Sequence, residues 1–130
     1  MFLIHKTDDG RIPDWEYLPA SAITPKVGTA LVMNGGKLDL ATGANKPAYI
    51  CMAERDAAVT AGDIIPVIRV QADMIFETEF YEDATSIVPG NKLTIHTDGL
   101  RVTKTTTDGV AEVVEILGTA AGDKVRVRFA

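Results

Sequence analysis

The chain has 130 residues, enough for one domain and too few for two ordinary ones. Its 46% hydrophobic and 24% charged residues are those of a folded globular protein, which excludes disorder as the main state, and a formal net charge of −5 argues against a protein that coats nucleic acid. The single cysteine, Cys51, excludes an intramolecular disulfide and any zinc site that needs two or more thiolates.

No apolar run approaches the roughly 18 residues of a membrane span, so no membrane partner is expected. Met1-Phe2-Leu3-Ile4 turns polar at His5-Lys6, well short of a signal-peptide core. A protein of the cytoplasm or of an assembled particle is expected. Asp8-Asp9-Gly10 signals a turn, and Pro13, Pro19 and Pro25 follow at six-residue intervals. Each proline removes a backbone donor and pushes its preceding residue toward extended conformations, so no helix is expected here. Trp15, Tyr17, Leu18 and Ile23 are too apolar to lie loose in water. Residues 1–26 therefore read as an extended arm along a surface, its own or a neighbour's, beside a β-domain of residues 27–130 that folds without it.

From Val27 onward the pattern is short strands with turn punctuation. Gly35-Gly36, between Ala30–Met33 and Lys37–Leu40, predicts a hairpin. Ala53–Ala61 carries the main helical signal, about two turns long and stopped by Gly62. Ile64–Val70 is a dense apolar strand that Pro66 restricts to an edge, a bulge or a strand start. Met74–Phe80 alternates, with Met74, Phe76 and Phe80 inward and Glu77 and Glu79 outward. Asp98-Gly99 predicts a second hairpin, between Leu93–Thr97 and Leu100–Thr103, and the threonine run 103–107 suits a strand. In Lys124–Phe129 the period of two turns Val125, Val127 and Phe129 to a core and Lys124, Arg126 and Arg128 to solvent or a partner. The whole predicts an all-β fold, a compact barrel or β-clip-like domain.

The chain also resembles itself. Gly28, Leu31, Met33, Leu38 and Leu40 recur sixty-two places on as Gly90, Leu93, Ile95, Leu100 and Val102. Thr60-Ala61-Gly62-Asp63 and its following strand recur sixty places on as Ala120-Ala121-Gly122-Asp123 and Val125–Phe129. Two similar halves, about 27–72 and 88–130, are expected to pack together, because units of this size cannot bury a core alone.

Signals for chemistry are weak. Nucleophilic catalysis needs an activated Ser, Cys or Thr beside a base. Ser21 and Ser86 lie in no nucleophile elbow. His96 falls on the outward side of a hairpin strand, and Cys51 sits in the apolar run Tyr49-Ile50-Cys51-Met52. Glu77, Glu79, Glu82 and Asp83 lack the Asp-x-Asp-x-Asp-Gly spacing of a calcium loop and read as a solvated acidic face. No Gly-rich phosphate cradle is present, and neither cofactor nor metal is expected. Lys124, Arg126 and Arg128 form a positive stripe, read as one side of a charge-complementary contact with an acidic face such as Glu77–Glu79.

The segment from Glu16 to Gly28, EYLPASAITPKVG, continues into Leu31–Ala41, Thr60–Val67 and the Ala121-Gly122-Asp123 turn before the last strand. Taken together, these residues resemble the small capsid decoration (head-stabilising, or cement) proteins of tailed phages and prophages, over most of residues 15–130. The resemblance implies a β-tulip or clip fold with an N-terminal arm, no enzymatic activity and no cofactor. It further implies a homotrimer, made in the bacterial cytoplasm, that binds the major capsid protein on the virion surface and holds neighbouring subunits together. Trp15, Tyr17, Leu18 and Ile23 would then anchor the arm on the capsid, and Arg126 and Arg128 would serve self-association or docking. Other readings remain open. They are a β-clip module for a carbohydrate or other small ligand, a small enzyme pairing His96 with Asp98 or Glu112, and another virion part such as a tail or head-completion protein.

Overall fold

In the computed structural model, which describes residues 1–129, alternating apolar side chains line up ten short strands. These are β1 (Leu3–Lys6), β2 (Glu16–Pro19), β3 (Ala30–Asn34), β4 (Lys37–Leu40), β5 (Tyr49–Cys51), β6 (Ile64–Arg69), β7 (Ile75–Glu79), β8 (Lys92–Leu93), β9 (Ala111–Ile116) and β10 (Lys124–Phe129). They form two antiparallel sheets, ordered β1-β7-β10-β9-β8 and β2-β6-β5-β3-β4. The described residues contain no helix, and so none long and apolar enough to cross a membrane. The fold is all-β, as the alternation requires. Each sheet curls without closing into a barrel. The segment after β2 meets β4 through one parallel bridge, Ala20 to Leu38, and the segment after β7 meets its own hairpin through Phe80 to Val102.

Those two bridges belong to a repeat that runs through the hydrogen bonding. Leu31 faces Tyr49 as Leu93 faces Ala111, and Cys51 faces Val67 as Val113 faces Val127. Tyr17 faces Pro66 as Glu77 faces Arg126. Both Ala-Gly-Asp turns are built alike. Asp63 Oδ2 accepts from Thr60 N at 2.9 Å, and Asp123 Oδ2 accepts from Ala120 N at 3.0 Å. Gly62 and Gly122 hold φ of 96° and 87°, which a side chain resists. The repeat starts earlier than sequence matching places it, because β2 is the counterpart of β7. Within the hairpin the second half is longer, so that Leu38 corresponds to Val102 and not to Leu100.

Two apolar clusters result. Leu31, Leu38, Cys51, Ile65 and Val67 fill the first half. Their counterparts Leu93, Val102, Val113, Val125 and Val127 fill the second, joined there by Ala30, Ile50 and Ile68 from the opposite face of the first sheet. The sheets are thus layered, and the middle layer is shared.

Residues 1–26 are extended, yet they are woven into the domain. β1 extends one sheet and β2 the other. Phe2 is 1% exposed and meets Phe129 edge-on, with ring centroids 5.3 Å apart. Its N–H donates to Gly28 O at 2.8 Å, and a Cβ on Gly28 would stand 2.6 Å from Met1 Cβ. The apolar start of the chain is core, and residues 27–130 alone lack one strand of each sheet.

Three local expectations change. Residues 53–61 are irregular, because Arg55 N donates to Pro25 O and Val59 N to Ile23 O, leaving those donors no helical ladder. The threonine run 103–107 is not a strand. Thr103 N donates to Thr94 O and Thr94 N to Thr105 O across the hairpin, but among the described residues no strand runs along the far side of 103–107. Pro66 stands inside β6 with neighbours on both sides. Its carbonyl accepts from Met52 N at 2.9 Å, so its missing donor faces the point where β5 ends.

Phe2→Ala is expected to cost about 3–5 kcal/mol of unfolding free energy, as for other fully buried phenylalanines. Urea denaturation measures this directly, and an unchanged midpoint would mean that the N-terminal segment contributes nothing to the core.

Candidate interaction surface

In β-strands alternate residues share a face, so the pairs Tyr17–Pro66 and Pro19–Ile64 put four apolar side chains on one side of the β2–β6 corner. Trp15, two residues before Tyr17, falls in the same phase. None is covered by the second sheet. Trp15 is 51% exposed, Tyr17 63% and Ile64 56%. Further along this face, Ala30, Ile50 and Ile68 are fully buried. The corner is thus the uncovered end of a face that elsewhere forms the middle layer.

The second half shows what the same positions look like when built for water. Tyr17, Pro19, Ile64 and Pro66 correspond to Glu77, Glu79, Lys124 and Arg126. Those four are cross-paired, with Arg126 Nε 3.2 Å from Glu77 Oε2 and Lys124 Nζ 3.6 Å from Glu79 Oε1. Arg126 reaches Glu115 as well, at 2.6 Å, and hydrogen bonds to both carboxylates hold its guanidinium pKa above the usual arginine value. Arg128 pairs with Glu112 at 2.7 Å. One half carries an ion-paired ladder, the other a bare apolar patch.

The six residues singled out from sequence therefore divide. Trp15 and Tyr17 present free apolar surface. Leu18 and Ile23 are partly buried against their own half's core. Arg126 and Arg128 are engaged by carboxylates of their own sheet, so the acidic face expected on a neighbour, Glu77–Glu79, is met within one chain. Ile64, Pro66 and Pro19 escaped notice as surface residues. The signal that finds them is the offset of sixty: aligning Ile64-Ile65-Pro66 with Lys124-Val125-Arg126 shows apolar residues where the repeat carries charge.

The groups singled out for chemistry are each engaged by neighbours. His96 stacks on Tyr81, with centroids 3.6 Å apart and planes at 14°. Asp98 is held by Arg101 at 2.9 Å and by Leu100 N, while Glu112 is held by Arg128. The acidic cluster disperses likewise: Glu82 pairs with Lys104, and Asp83 accepts from Thr85, whose bonds keep its carboxyl below the usual range. Among the described residues no three His, Cys, Asp or Glu side chains converge to hold a metal ion. A polar cleft of about 570 Å³ lies beside the first hairpin, lined by Asn34, Asp39, Thr42, Asn45 and Thr97. Asp39, its one charged group, already accepts from Leu40 N at 2.9 Å. No family model and no curated protein matches the chain.

Cys51 is fully buried, and burial raises its thiol above the ordinary value of 9.0, against a smaller opposite effect from the Ala53 backbone. The folded state holds this proton more tightly than the unfolded chain does. The resulting stability is complete below pH 9.0 and is lost as pH rises beyond it toward the raised value of the folded thiol. Cys51→Ala should weaken the fold at neutral pH and flatten the loss of stability in alkali, read from denaturation midpoints across that range. Parallel pH curves for the two proteins would contradict this.

Proposed function

We propose that this protein acts by adhesion, as a structural protein that decorates a phage or prophage capsid and holds neighbouring capsid subunits together. The carrying observation is the exposed apolar corner of Trp15, Tyr17 and Ile64, with half-buried Pro66 between them, where the other half of the same molecule carries ion pairs. Leaving aromatic and aliphatic side chains in water is unfavourable by about 25 cal/mol for each Å² that could be buried, and the repeat supplies a soluble alternative that these positions do not use. The resemblance of most of residues 15–130, the acidic 77–83 segment excepted, to decoration proteins suggests the partner, the major capsid protein. A trimer, as that resemblance implies, would present three such corners round one axis. Linked weak contacts then bind far more tightly than one.

The test copies one half onto the other. Tyr17→Glu, Ile64→Lys and Pro66→Arg together reproduce the Glu77–Arg126 pair and the charge of Lys124, so the sheet has a precedent for accepting them. Wild-type protein is expected to co-sediment with expanded shells of a major capsid protein from the same genome. The triple variant, with an unchanged circular dichroism spectrum, is expected to lose at least about tenfold in affinity, the scale of one good apolar anchor. Equal binding by the variant would remove this corner from the contact, and no binding by wild type would remove the capsid.

A further inference from the structure

The two halves differ at one more place. In the second half β1 lies antiparallel along the outer edge of β7, with Leu3 opposite Glu77 and Ile4 opposite Phe76. Glu77 and Phe76 correspond to Tyr17 and Glu16 of β2. Among the described residues no strand lies beside β2 at that point, and β2 ends its sheet. Further on, both edges are closed in the same way, by Leu38 beside Ala20 and by Val102 beside Phe80. The open stretch is thus short, from Trp15 to Tyr17, and has the outline that β1 fills in the other half.

Its backbone is aimed outward. The Pro66 carbonyl turns toward Met52, away from β2, so Tyr17–Pro66 is a pair without mutual hydrogen bonds. The N–H and C=O of Tyr17 therefore point away from β6. Other edges carry devices that discourage added strands: β1 has a register shift between Ile4 and Lys6 as well as charge, and β4 carries Lys37 and Asp39. The only charge on β2, Glu16, is held by Arg69 at 3.0 and 3.1 Å.

We propose that the β2 edge accepts an extended segment of another protein, antiparallel to β2, that starts opposite Tyr17 and runs out past Trp15. Opposite Tyr17 it exchanges main-chain bonds with the outward N–H and C=O. Its side chains on the Trp15–Tyr17 face are apolar and uncharged, because the ion-pairing partners that β7 and β10 hold are missing there. Resting on the reading above, the segment belongs to a capsid subunit, so that the shell supplies the strand this half lacks.

Trp15 is the only tryptophan of the chain and reports on the site. The first probe is a synthetic peptide of residues 1–7, acetylated and amidated, which copies β1. It is expected to shift Trp15 emission to the blue saturably and to slow amide exchange at Tyr17 at least tenfold. Tyr17→Pro removes the outward donor and spares the bonds to β6, and is expected to abolish the Trp15 shift, whereas Tyr17→Phe retains both effects. The second probe is the expanded shell, with the same two readouts. Slowed exchange at Tyr17 with either probe, together with a Trp15 shift that Tyr17→Pro loses, supports strand acceptance. If the peptide docks and shells do not, the edge stands and the capsid reading falls. If shells bind while Tyr17 exchanges freely and Tyr17→Pro binds as well as wild type, strand acceptance is overturned and the capsid reading stands. Free exchange at Tyr17 with both probes overturns it too.

Discussion

Ala30, Ile50 and Ile68 pack against the core of the second half, and the rest of the structure depends on that layer. Neither half buries enough apolar surface to fold alone at this size. The shared layer makes them one cooperative body. It also breaks the likeness between them. A face that is apolar and covered in the first half becomes Lys92, Glu112 and Arg128 in the second, where it meets water and is paired by charge.

The asymmetry gives the surface its meaning. Two sheets of one design, stacked front to back, leave one outer face and one uncovered corner. The outer face is solved by a ladder of opposite charges. The corner at Trp15, Tyr17 and Ile64 is not, and nothing in its local structure requires it to be apolar, since the same backbone carries Glu77, Lys124 and Arg126 elsewhere. On the proposed reading, residues that the fold does not need there serve a contact outside it.

Much of the architecture was legible in the chain. Period-two alternation located β7 and β10 and named their buried residues, and Gly35-Gly36 and Asp98-Gly99 located the hairpins. The offset of sixty announced the repeat. What failed to show was settled by distant partners. Whether residues 53–61 coil into a helix depends on carbonyls of Pro25 and Ile23 some thirty residues away. That Phe2 is core depends on a Phe129 ring it cannot foresee. Composition marked Trp15 and Tyr17 as interaction residues, whereas Ile64 and Pro66 looked like interior strand, because alternation fixes which residues share a face but not which part of that face the next sheet covers.

The central claim is that the β2–β6 corner is covered by a partner when the protein is at work. The most direct measurement is quenching of the lone tryptophan by iodide, for the free protein and for protein bound to expanded shells. Burial of Trp15 should lower the quenching constant several-fold on binding. Bound protein whose Trp15 remains as open to iodide as in free solution would contradict it.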